Sequence, residues 1–157
     1  MNTIQTENLE QTGGFFNAQI LSIDELTSCP SILTNNNAKD IVITPSTTYL
    51  DILPVAENIK ITEKSTKTKS GTLYTINGEF EIPVQSSELD AYFNDYLYKK
   101  VVLIGIKHYG QQKIYGSKKF PLKFSYQFIN GKKLEDGSKI MIKVSGKIPQ
   151  KPVFIND

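Results

Sequence analysis

The chain has 157 residues, enough for one domain of ordinary size with a continuous core and tight for two. Its single cysteine, Cys29, excludes an intramolecular disulfide, and no apolar run approaches the roughly 18 residues needed to span a bilayer. All 18 basic residues are Lys, and without Arg, the side chain best suited to bidentate reading of phosphate or guanine, sequence-specific nucleic-acid recognition is disfavoured.

Residues 1–14 are polar, lack periodicity and end in Gly13 and Gly14, which reads as an arm that orders against a partner. The first thirty residues contain no Lys or Arg and no apolar h-region, so no secretory signal is expected and the chain should fold in a reducing cytoplasm. A single β-rich domain is expected over residues 15–146. Phe15 to Ile23 predicts a first strand, residues 27–40 a loop around Cys29–Pro30 and the Asn35–Asn37 run, and Ile41 to Thr44 a short strand stopped by Pro45. Thr48 to Leu53 reads as a strand or a turn of helix.

Ile59 and Ile61 alternate with Lys60 and Thr62 as on a half-buried strand. The polar residues 63–70 read as a hairpin tip or loop. Gly71 to Val84 is strand-like around Asn77–Gly78, which predicts a type I′ hairpin turn or a long strand bulged at Gly78.

Ser87 to Lys100 predicts a helix capped by Ser87, with Leu89, Tyr92, Phe93, Tyr96 and Leu97 on one apolar face and Lys99 and Lys100 at its negative end. Four strands follow: Val101 to Lys107, apolar enough to be central; Lys113 to Tyr115; Pro121 to Phe128, with Leu122, Phe124, Tyr126 and Phe128 inward; and a strand on which Ile140, Ile142 and Val144 alternate with Lys139, Met141 and Lys143. Residues 147–157, with Pro149 and Pro152, read as an extended tail. The fold expected is mainly β, a sandwich or barrel with one short helix and extended terminal arms.

No catalytic constellation stands out. His108 lies beside Tyr109–Gly110 in a predicted turn with no Cys or paired carboxylates near it in sequence, and Cys29 has no nucleophile signature. The glycines at 105, 110 and 116 follow no strand-to-helix pattern that would cradle a phosphate. No enzyme activity, cofactor or metal is therefore expected.

Charge is uneven along the chain. Residues 1–98 hold 5 Lys against 13 acidic residues and residues 99–157 hold 13 Lys against 3, giving 5 − 13 = −8 and 13 − 3 = +10. Either strands of both halves interleave and the charges are solvated, or an acidic surface of one subunit meets a basic surface of the next, as a head-to-tail ring requires. A third reading has the segment Lys113 to Lys133, where lysines mix with Tyr115, Phe120 and Tyr126, bind single-stranded nucleic acid as an OB-like barrel does.

The succession Gly71–Thr75, Phe80–Pro83, a short helix, Lys100–Ile104, Ile114–Ser117, Pro121–Phe124 and a last strand ending near Pro152 resembles small virion proteins of Bacteroidota phages, over roughly residues 59–157. The Lys-, Asn- and Ile-rich, Arg-free style looks most like that of crAss-like phages. The resemblance implies a head–tail connector, neck-ring or tail-associated protein: a small sandwich or barrel that joins in rings and packs against portal, connector or tail proteins. Its place would be the virion, after synthesis in the bacterial host cytoplasm. A capsid decoration protein has a similar layout. Interface candidates are Phe15 and Phe16, the segment carrying Lys64, Lys67 and Lys69, and the basic strand face at Lys118, Lys119 and Lys123, which would also allow non-specific contact with DNA.

Overall fold

A computed structural model describes residues 17–43, 50–52, 59–83, 85–107, 110–132, 134 and 137–156. The chain is mainly β, with one α-helix among the described residues and a curled antiparallel sheet that forms a half-barrel. The strands are β1 (Asn17–Ser22), β2 (Leu26–Ser28), β3 (Val42–Ile43), β4 (Leu50–Ile52), β5 (Ile59–Thr68), β6 (Gly71–Ile82), β7 (Lys100–Ile106), β8 (Gln112–Tyr115), β9 (Leu122–Asn130), β10 (Ser138–Ile148) and β11 (Val153–Asn156), with α1 (Ser87–Leu97) between β6 and β7.

β7 is central, as its Val101–Ile104 run requires. β1 pairs along one edge from Asn17↔Ile106 to Ser22↔Val101, and β8 and β9 share the other, at Leu103↔Tyr115 and Val101↔Leu122. β8 and β9 are thus one long strand interrupted by residues 116–121. β10 and β11 form its partner, interrupted at residues 149–152: β10 pairs with β9 as far as Ser145↔Lys123, and β11 resumes on β8 at Val153↔Ile114. The paired interruptions let the sheet turn sharply. Gly116 takes a φ of +89° there, with Leu122 Cγ only 3.2 Å from where a Cβ would stand.

Two apolar clusters follow from alternation on β1 and β7. Ala18, Ile20, Val101 and Leu103 point into the concave side with Ile59, Ile76, Phe80, Leu122, Phe124, Ile140, Ile142 and Val144. Leu21, Val102 and Ile104 point the other way and meet Leu26, Leu33, Ala38, Ile114 and Val153. Covered on both faces, β7 needs a continuous apolar run, whereas β9 and β10, covered on one face, alternate.

Helix α1 closes the concave side. Ser86 caps it, one residue before the expected Ser87, its hydroxyl accepting the Leu89 amide at 3.2 Å. Phe93 and Tyr96 are buried against Phe124, with ring centroids 6.1 and 5.7 Å away. The helix ends at Leu97, so Lys99 lies beyond it and Lys100 already opens β7.

Several expectations are corrected. Residues 63–70 are no loop: β5 runs through Thr68, ten register pairs match it to β6, and only Lys69 and Ser70 turn. Backbone pairing suffices there because both faces are solvated, so no apolar alternation marks the strand. Asn77–Gly78 makes neither a turn nor a bulge, since β6 keeps unbroken register with both β5 and β10. The glycine serves a close approach instead: a Cβ at position 78 would stand 3.0 Å from Leu103 Cδ2 and 3.0 Å from Phe80 Cζ. The expected loop 27–40 begins inside β2, which pairs with β3, whereas of the strand or helical turn open over Thr48 to Leu53 the strand forms, as β4 paired to β1. Residues 147–157, expected as an extended tail, join the sheet: β10 extends to Ile148, and the extended β11 pairs with β8, with Val153 buried. Phe128, expected inward, is 37% exposed at the far end of β9. The expected arm at residues 1–14 and His108 lie outside the described residues.

Candidate interaction surfaces

The outward positions of β9, β10, β6 and β5 form one solvated face, and register assigns its rows. Lys100 on β7 neighbours Lys123, Lys123 neighbours Ser145, Ser145 neighbours Asn77, and Asn77 neighbours Thr62. The next row runs Ser125, Lys143, Glu79, Lys60, and on the other side Lys147, Thr75 and Lys64 lie abreast. Lys139 completes the set, its Nζ 3.1 Å from the Glu81 carboxylate. Seven lysines (60, 64, 100, 123, 139, 143 and 147) therefore share this face with Glu79 and Glu81, a balance of 7 − 2 = +5. Lys100 and Lys123 sit directly opposite each other, an arrangement that costs stability and so favours a negative partner.

The opposite side of the same strands carries α1. Its exposed surface holds Glu88, Asp90 and Asp95, the last paired to Lys99 at 3.0 Å. Beside these acids is apolar surface: Tyr98 is 82% exposed, Leu97 40%, and Phe128 stands 5.9 Å, centroid to centroid, from Tyr126. The Tyr126 hydroxyl donates to Asp90 at 3.1 Å, so the helix flank and the strand end form one patch. Aromatic groups rimmed by charge are the usual composition of a protein–protein contact.

Beneath the helix, the Tyr96 hydroxyl donates to the buried Glu25 carboxylate at 3.1 Å. Burial, and after it the Glu25 charge, hold the Tyr96 phenol above its ordinary value; burial likewise raises Tyr92, where hydrogen bonding to Tyr96 acts the other way. The group anchors α1 to the 3-10 turn Ile23–Glu25. Across the barrel mouth, Lys113 of β8 forms an ion pair with Glu63 of β5 and lies over the ring of Phe154 at 4.7 Å. Tyr115, on the same face, has its phenol raised by burial and then by Glu63.

The structure separates the residues singled out in the sequence. Lys64 and Lys123 lie on the lysine face, whereas Lys67 falls on an inward-facing position of β5 and Lys69 in the turn. Lys118 and Lys119 sit on the 116–121 interruption: the Lys118 Nζ donates to the Leu26 carbonyl at 3.0 Å, and the Lys119 Nζ is 5.6 Å from the Phe120 ring centroid. They are therefore no part of Lys123's strand face. Phe15 and Phe16 lie outside the described residues. Sequence reasoning missed Lys60, Lys100, Lys139, Lys143 and Lys147 as one surface. Their alternation with core residues was the available signal, but only register shows that the strands are neighbours. Cys29, half-buried, donates weakly to the Pro30 carbonyl at 3.6 Å.

Among the described residues no helix is long and apolar enough to cross a membrane, and no group of three or more His, Cys, Asp or Glu side chains is arranged to hold a metal ion. Comparison of the chain with protein-family models, with curated proteins and with solved structures finds no match.

Proposed function

We propose that this protein is a non-catalytic structural subunit of a phage virion, a neck- or tail-ring protein that joins portal or connector to tail by associating with copies of itself. The resemblance of its layout to small virion proteins supplies the setting. The observation that carries self-association is the opposite sign of two opposite faces: seven lysines against Glu79 and Glu81 on the outer side of β9, β10, β6 and β5, 7 − 2 = +5, and Lys99 against Glu88, Asp90 and Asp95 at α1 on the inner side, 1 − 3 = −2. A subunit with unlike faces is suited to heterologous contacts, which close into rings when the rotation between neighbours permits.

A second reading rests on the lysine face alone. A surface of net charge +5 without Arg would hold a phosphate backbone electrostatically and without base preference. Native mass spectrometry of the purified chain across protein concentration and salt, with and without an oligonucleotide, separates the two. Closed oligomers that weaken as salt rises are the expected result. A monomer that takes up the oligonucleotide would replace the ring reading with the nucleic-acid one, and a monomer indifferent to both would overturn each.

A further inference from the structure

Building on the self-association proposed above, we infer that copies stack head to tail, the α1 patch of one copy (Tyr98 and Leu97 with Glu88 and Asp95) docking on the lysine face of the next around Lys100, Lys123, Lys143 and Lys147. The partner that fits is therefore a second copy of this chain. Neither face suits itself. A two-fold contact through the lysine face would set like charges against one another over four strands, and one through α1 would oppose the carboxylates of two helices. The heterologous contact satisfies both at once. It also covers Tyr98, which at 82% exposure is the most exposed tyrosine among the described residues and is the type of side chain that anchors an interface when pressed against the aliphatic stems of lysines.

Geometry restricts how such copies repeat. The helix rests on the inner face of β9 through Phe93 and Phe124, and Lys123 projects from the outer face of the same strand. Each docking step therefore crosses the sheet from one face to the other, and the rotation that accompanies it decides whether the copies close into a ring.

Paired charge reversals test the arrangement. One variant carries Glu88→Lys and Asp95→Lys, making both faces basic; the other carries Lys123→Glu, Lys143→Glu and Lys147→Glu, making the outer face acidic like the helix. All five positions are exposed, and Asp95 is paired to Lys99. Sedimentation velocity at a concentration where the wild type associates should find each variant monomeric alone and an equimolar mixture reassembled, because each then offers the face the other lacks. Tyr98→Ala provides a milder check, with association weakened about tenfold or more and thermal unfolding of the monomer unchanged.

Variants that associate alone as the wild type does would overturn this docking while leaving self-association intact. Wild-type protein that stays monomeric at every concentration would overturn self-association and the docking with it. Loss of oligonucleotide binding in the lysine variant, with its assembly undiminished, would assign the lysine face to a polyanion and overturn the docking.

Discussion

Tyr115 lies on the concave side of β8, where burial and then the Glu63 carboxylate push its phenol above the ordinary value of 10.0; Tyr96 is raised by burial and by Glu25. The folded chain keeps these protons where the unfolded chain releases them. This contribution to stability is complete below about pH 10 and is lost as pH climbs beyond it. The urea midpoint should therefore hold up to about pH 10 and fall above it, and Tyr115→Phe should flatten that fall. A Tyr115→Phe profile as steep as the wild type's would show that the alkaline loss arises elsewhere. Gly78 makes a packing prediction at the same scale. Alanine there meets Leu103 and Phe80 at 3.0 Å, so Gly78→Ala should cost about 1–3 kcal/mol in chemical denaturation. The hairpin turn suggested by Asn77–Gly78 was a sound local inference that a cross-barrel contact overrode: the glycine makes room for a leucine 25 positions away in sequence, 103 − 78.

Among the elements, α1 was the most legible because its cap, its apolar spacing and its length all agree. The cap nevertheless falls on Ser86, and the two adjacent serines allow a clean comparison: Ser86→Ala should lose about 1 kcal/mol, while Ser87→Ala should stay within about 0.5 kcal/mol. A larger loss at Ser87 than at Ser86 would mean that the helix starts one residue later. β11 was illegible for the opposite reason. Two prolines flank its approach, and its four residues show no periodicity long enough to read. It is held by long-range polar contacts: the Gln150 side chain accepts from the Leu33 amide at 3.1 Å and donates to the Leu33 carbonyl at 2.9 Å, and the Asn35 side chain accepts the Phe154 amide at 2.9 Å. Gln150→Ala leaves both backbone groups of the buried Leu33 without this side chain and should cost about 1–3 kcal/mol, seen as an earlier thermal transition.

At the scale of the whole molecule, the half-barrel is shut mainly by its core. Ile59 and Phe80 from the β5–β6 hairpin join Ala18, Ile20 and Leu103 in one cluster, and the Lys113–Glu63 ion pair only adds to this at a partly exposed mouth. Glu63→Gln should accordingly lower stability by less than about 1 kcal/mol, with the far-ultraviolet circular dichroism unchanged. A larger loss would mean that the ion pair organises the closure. The self-association proposed here would rest instead on faces several strands wide, and the assembly should weaken as salt shortens the reach of their fields.

Which residues alternate, where the helix lies and that the chain is mainly β are all legible in the chain, because these follow from periodicities of two and 3.6 acting over a few residues. The sequence also revealed that negative charge precedes residue 99 and positive charge follows it. Where that charge meets depends on how the strands pair. Lys60 and Lys64 come from the acidic half and Lys100, Lys123, Lys143 and Lys147 from the basic half, yet strand register sets them on one face, while the acids of α1 take the other side of the same sheet. Pairing between strands tens of residues apart is chosen by the shared core and by the interruptions that bend the sheet, and neither leaves a local mark on the chain.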